Sequence, residues 1–412
     1  MIDLINALWM KERDIVSDGY HKALEYISKI IPLKIHKYPT GMKCWTWIVP
    51  EKWGCNSAWI ADENGKELLD MKDNPLHVMR YSLPMGTVLS REELIKHLHT
   101  KPGRPDAIPF EFKYYERDWG FCIQHNRLKD FIGSRYGIYI DSKFENGHLE
   151  VGDFTVKGDT DDTIVIVAHL CHPCMVNDDL TGVSVLIDVA KSVAKKRNHY
   201  TYKFLLVPET IGSIAYLSQN EDIIPKLKYG IFLEMLGNDR DLALQYSRQG
   251  NTKIDRIARY VLRKEVPFSR EGAFRKIICN DELVFNGPGV DVPMISISRW
   301  PYPEYHTSDD NPSIISAERL QESSKIISEI LDILDTDYNP IRLFKGPVFL
   351  SGYGLWVDWK TDYALNAQID QIMLRMEGDK SVFDISEELG LDFHETRDYI
   401  NKFYENGLIE KL

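Results

Sequence analysis

Between residues 163 and 334 the chain alternates short apolar runs with longer stretches in which apolar positions recur every three or four residues. The short runs, at 164–168, 202–207, 229–233 and 293–298, are apolar on both faces, which predicts strands buried inside a parallel sheet. The periodic stretches, at 183–196, 214–222, 254–264 and 317–335, predict helices. The last places Leu320, Ile327, Ile330, Leu331 and Leu334 on one side, with Ser316 as N-cap and Pro312 upstream. This alternation predicts an α/β fold with a doubly wound, mostly parallel sheet. Its functional site is expected outside the carboxyl ends of the strands.

The flanking regions follow other patterns. After a helix predicted at 20–31, the segment 43–124 is rich in Trp, Tyr, Pro and Gly, and holds short β-like runs (CWTWIV, SAWIAD, MRYSLP, FEFKYY) with little helical periodicity. It reads as a small β-rich insert or cap, with a return to the main domain near Leu128. Helical patterns at 368–376, 382–389 and 393–406, with Gly390 in a turn and GLIEKL closing the chain, predict a winged helix. The expected domains are therefore 1–42 with 125–345, the insert at 43–124, and the winged helix at 346–412.

Charge narrows the functional classes. The 412 residues carry a formal net charge of -12, which disfavours nucleic acid or an anionic membrane as partner, because both require a basic face. Residues 366–412 hold eleven acidic and five basic side chains, a net of -6, so the winged helix is expected to pack or bind protein rather than read DNA. It could equally mediate a homo-oligomer. The opening MIDLINALWM has no basic leader, and no apolar run approaches the roughly 18 residues of a membrane span, so a cytoplasmic location is expected. The six cysteines are too few for a disulfide scaffold of this length.

The chemistry gathers where the predicted strands stop. IVIVA ends at His169, followed by His172, Asp178 and Asp179; KFLLVP ends at Glu209; GIFL ends at Glu234; and MISISRWPYPEY runs into His306. Carboxylates and imidazoles at one sheet edge need a shared counter-charge, and a divalent cation supplies it. Imidazole and carboxylate donors without an obligatory thiolate suit zinc with a position left for water. Amide hydrolysis is the natural reaction.

The ordered set of a strand-end His, NDDLTG, PETIGS, LEMLGN and YHTSDDNP resembles the zinc aminopeptidases of clan MH. More closely it is similar to an uncharacterised bacterial branch with a β insert and a C-terminal winged helix. The resemblance implies that Asp178 is the bridging ligand, joined to Asp179 by what is often a cis peptide. It implies Glu209 as general base, and Glu234 and His306 as further ligands. Either His169 or His172 could be the first histidine, with the other supporting it. Two departures stand out: Cys171 replaces the orienting aspartate of His-x-Asp, and Thr210 replaces the second glutamate of the Glu-Glu pair. They imply one zinc ion and a weak or missing second site, and leave room for a metal-binding scaffold without peptidase activity. A thiol-disulfide oxidoreductase using Cys171 and Cys174 is a third reading, although the turn after CHPC is unlike a redox helix start. A peptide or small amide is the expected substrate. Arg117, Arg299 and Tyr305 are its candidate contacts, the arginines as bidentate partners of a carboxylate.

Overall fold

Four neighbouring strands, buried on both faces as their composition predicts, form the middle of an eight-stranded mixed sheet in the computed structural model, which describes residues 1–266 and 269–412. In chain order the strands are β1 (Lys34–Pro39), β2 (His148–Val156), β3 (Thr163–His169), β4 (Thr201–Val207), β5 (Leu227–Leu233), β6 (Ala243–Gln245), β7 (Arg270–Gly272) and β8 (Met294–Ser298). Their order across the sheet is β1-β2-β4-β3-β5-β8-β6-β7. β4, β3, β5 and β8 run parallel, whereas β2 and β6 attach antiparallel on the two sides. The chain leaves β3 for β4 on one side and returns for β5 on the other. His169, the last residue of β3, therefore stands at a topological switch point, where such sheets open a crevice.

The predicted helices are present as α1 (Gly182–Val193), α2 (Ile211–Ser218), α3 (Lys253–Glu265) and α4 (Ala317–Thr336). Ser316 Oγ accepts from the backbone N–H of Arg319, as an N-cap should. Gly182 explains the glycine of NDDLTG: a Cβ there would lie 2.3 Å from the Leu233 carbonyl oxygen, so only glycine lets α1 begin against the end of β5.

The insert is built on an antiparallel sheet ordered Glu67–Asp70, Lys52–Asp62, Arg135–Glu145, Met85–Ser90. Its third strand lies beyond residue 124, so the insert sheet takes in chain that the sequence pattern assigns to the main domain. Tyr136, Ile138, Ile140 and Ser142 point inward at every second position, giving that strand one buried face. The run MRYSLP, expected as β structure, forms no strand of this sheet; the strand begins at Met85 instead.

The chain divides into two compact units, Met1–Ser328 and Glu329–Leu412. The second holds three helices, Tyr363–Met373, Val382–Leu389 and Phe393–Glu405, and a two-stranded antiparallel sheet pairing Pro340–Arg342 with Ile409–Lys411. Ser381 and Asp384 form a capping box, and Gly390 ends the helix Val382–Leu389 at φ +66°. Among the described residues no helix is long and apolar enough to cross a membrane.

Candidate metal centre

The residues that end the central strands meet around one carboxylate. Asp178 Oδ1 lies 3.5 Å from His169 Nε2, which is 3.1 Å from Glu234 Oε2. Asp178 Oδ2 lies 3.2 Å from His306 Nε2 and 4.0 Å from His172 Nε2. Two clusters of potential ligands thus share Asp178: His169, Asp178 and Glu234 on one side, His172, Asp178 and His306 on the other. Glu209 stands beside the second, its Oε2 3.5 Å from His172 Nε2, with its side chain 30% exposed. His169 and His172 face different oxygens of Asp178, so the geometry does not single out one of them as the first histidine.

Neighbours fix these side chains. Asp179 Oδ2 lies 3.3 Å from His169 Nδ1 and 3.7 Å from His172 Nδ1, on the ring edges away from Asp178. Asp179 thus faces both imidazoles from the side opposite Asp178, to which it is joined by a cis peptide. Asp310 accepts the backbone N–H groups of Val176, Asn177 and Asp178 and the hydroxyl of Tyr302, so the loop that carries His306 also anchors the turn that carries Asp178. Asn280 donates to Glu234 Oε2 at 2.9 Å. Asp281 accepts from the Thr210 N–H and the Ser213 hydroxyl, tying down the turn that follows Glu209. Thr210, Met235 and His306 all have positive φ, of 60°, 54° and 53°. Non-glycine residues in such conformations cost about 1–3 kcal/mol each and tend to gather at functional sites.

The pocket demands positive charge. His169, His172, Asp178, Asp179 and Glu234 are all buried. Burial opposes protonation of His169 and His172, yet neighbouring acidic groups raise both well above the ordinary histidine value: Asp179, Cys171 and Glu234 for His169, and Asp178, Asp179 and Cys171 for His172. Burial pushes Glu234 up to about 8, whereas the three histidines hold Asp178 down at about 2 against its own burial. Asp178 Oδ1 and Glu234 Oε1 accept no hydrogen bond among the described residues, and each such buried group costs about 1–3 kcal/mol if left unpaired. Divalent cations held between these oxygens and the imidazole nitrogens would satisfy both the orphaned atoms and the charge, so the donor set fits zinc.

The other candidate contacts fall differently. Tyr305 stacks on the His306 ring with centroids 3.8 Å apart. Arg299 is buried and bonded to the carbonyls of Leu236 and Arg240, to Glu322 and to Ser323; its guanidinium is consumed inside the fold and cannot grip a substrate carboxylate. Arg117 pairs with Glu51 and lies 4.2 Å over the Phe144 ring, so it too is already engaged. Cys171 and Cys174 are buried free thiols, and burial pushes Cys174 up to about 12, the reverse of a reactive redox cysteine. Cys171 Sγ instead accepts the Glu209 N–H at 3.0 Å. Asp310 and the Asn280–Asp281 pair escaped the sequence reading; the only signal was their place in the polar runs SDD and CND.

A family profile described as "Domain of unknown function (DUF4910)" matches residues 2–337. Over 420 residues the chain is 31% identical to a Clostridium acetobutylicum protein named "Putative polysaccharide biosynthesis protein with aminopeptidase-like domain", covering 99% of this chain and 95% of that one. The crystal structure of a "putative peptidase" from Clostridium acetobutylicum superposes with a TM-score of 0.92 at 31% identity, over 100% of this chain and 96% of that one. BSAP, a zinc aminopeptidase from Bacillus subtilis, matches with a TM-score of 0.61 at 13% identity, over 81% and 94% of the two chains. That last likeness is one of fold.

Proposed function

The chain belongs to the DUF4910 family, with an aminopeptidase-like domain, and from that premise and the paired clusters we propose that it is a zinc-dependent hydrolase of aminopeptidase type. Its substrate is a peptide or a related small amide. The observation that carries this reading is the placement of Asp178 between His169 with Glu234 and His172 with His306, beside a partly exposed Glu209.

We read this donor set as holding two ions rather than one. His172 supplies the ligand that Thr210 cannot, so the second cluster keeps three protein donors. Zinc bound there would lower the pKa of a water and polarise the substrate carbonyl. Glu209 is the general base: it takes the proton of the attacking water and delivers it to the leaving amine as the C–N bond breaks. Asp179 keeps the two imidazoles turned toward Asp178, and Tyr305, packed on His306, lines the approach to the substrate. We read the second unit as a winged helix that serves packing or protein contact, given its acidic charge.

The test is a panel of aminoacyl anilides, dipeptides and N-acyl amino sugars, the last because the Clostridium relative is named for polysaccharide biosynthesis. Turnover that a chelator abolishes, zinc restores and Glu209→Gln loses is the expected result. Stoichiometric zinc with no turnover on any amide would replace the hydrolase by a metal-bearing scaffold.

A further inference from the structure

The segment Glu12-Arg13-Asp14 lies far from β3 in the sequence, yet it reaches the surroundings of both ligand clusters. Arg13 is wholly buried. Its guanidinium donates to the carbonyls of Leu170 at 2.7 Å, His172 at 2.6 Å and Met175 at 3.1 Å, and to Asp179 Oδ1 at 2.9 Å. It therefore fixes both the course of the loop between His169 and Asp178 and the carboxylate that faces the two imidazoles. A planar five-donor group can do this; an ammonium cannot span the same set.

Glu12 and Asp14 turn to the other side and clasp Arg80 of the insert. Asp14 meets its Nε at 2.9 Å and a terminal nitrogen at 2.6 Å; Glu12 meets the same terminal nitrogen at 2.7 Å. Arg80 pairs through its backbone with Glu111 and Lys113. Just before these, Phe110 N–H donates to the His306 carbonyl at 3.0 Å, and Ser308 N–H donates to that of Ile108 at 2.8 Å. The Phe110 ring centroid lies 5.3 Å from those of both His172 and His306.

We propose that Glu12-Arg13-Asp14 is a brace that positions both ligand clusters: Arg13 through Asp179 for His169 and His172, and Glu12 with Asp14 through Arg80 and residues 108–113 for His306. The proposal rests on the reading of the site as a metal centre. Arg13 and Arg80 are positioning residues and touch no reacting atom. Ligand-orienting groups of this kind change metal affinity by about 10- to 100-fold when removed.

The test measures zinc affinity by competition with a chromophoric chelator and records the visible spectrum of the cobalt-substituted protein. Arg13→Met is expected to weaken both equivalents by about 10- to 100-fold and to change the cobalt spectrum, while Arg80→Met weakens one equivalent. Arg13→Met that unfolds cooperatively but binds zinc with wild-type affinity and an unchanged cobalt spectrum would overturn the brace. If Arg13→Met does not fold, Asp179→Asn takes its place, and wild-type affinity and spectrum there overturn the brace equally. Should the wild-type protein bind no zinc or cobalt, the proposed function itself falls; if it binds and the variants match it, only the brace does.

Discussion

His172 Nε2 stands 4.0 Å from Asp178 Oδ2, on the same carboxylate oxygen that His306 approaches. On the proposed function this pairing compensates for Thr210, with a donor from the loop after β3 taking the place of a carboxylate after β4. The protein is accordingly expected to hold two zinc equivalents by elemental analysis. His172→Ala and His306→Ala should each reduce this to one. Two equivalents in both variants would show that this cluster binds no metal.

Glu209 is within 3.5 Å of His172 but belongs to neither cluster built on Asp178. Glu209→Gln keeps the shape and removes the base, so kcat should fall by about 10²- to 10⁴-fold while zinc content stays at the wild-type level. Loss of zinc together with activity would instead make Glu209 a ligand.

Metal affinity should depend on pH with a definite sign. Burial pushes Glu234 up to about 8, and the acidic groups around His169 and His172 raise both imidazoles, so near neutrality the metal-free cluster holds protons that a cation must displace. Affinity therefore falls as pH falls, by about tenfold per pH unit for each proton released. Calorimetric titration in two buffers of different ionisation enthalpy counts those protons at pH 7. A heat of binding independent of buffer would contradict the assignment.

What could be read from the sequence was whatever a local pattern announces. His169, Glu209 and Glu234 follow directly from apolar strands that stop on polar residues, and the helix start NDDLTG announces Asp178. Arg13 gave no such signal, because its meaning lies in four acceptors about 160 positions away. Arg299 misled for the same reason: nothing local says that its guanidinium is spent on Glu322 and two carbonyls. At the sheet edge, β2 was hidden by Glu150 and Asp153, charged residues that break an apolar run. Folding sets His21 and Lys37 against the first and His36 and Lys203 against the second.

Cys174 packs with Leu76, Met79, Ile108, Phe110, Cys122 and Met175 in one apolar cluster. Cys174→Ala should leave hydrolysis close to wild type and cost about 1–2 kcal/mol in urea unfolding, as removal of a small buried group does. Abolished turnover with zinc retained would revive a thiol mechanism.

Asp153 supplies a separate test of the sheet edge that carries β1 and β2. Its carboxylate lies 3.2 Å from His36 Nε2 and 3.0 Å from Lys203 Nζ, and accepts the hydroxyls of Thr155 and Tyr216 at 2.9 and 3.0 Å. Burial alone would raise its pKa, but His36 and Lys203 outweigh that and hold it well below the usual carboxylate range. A depressed acid contributes stability above its unfolded pKa of about 3.9, and that contribution is lost as pH falls toward the folded value. Asp153→Ala leaves the largely buried Lys203 without its carboxylate partner and should cost about 3 kcal/mol at pH 7. The gap between variant and wild type should narrow steadily in urea titrations at pH 4, 3 and 2, because the wild type alone loses the ionised carboxylate. A gap that stays constant over that range would mean that Asp153 acts through packing rather than charge.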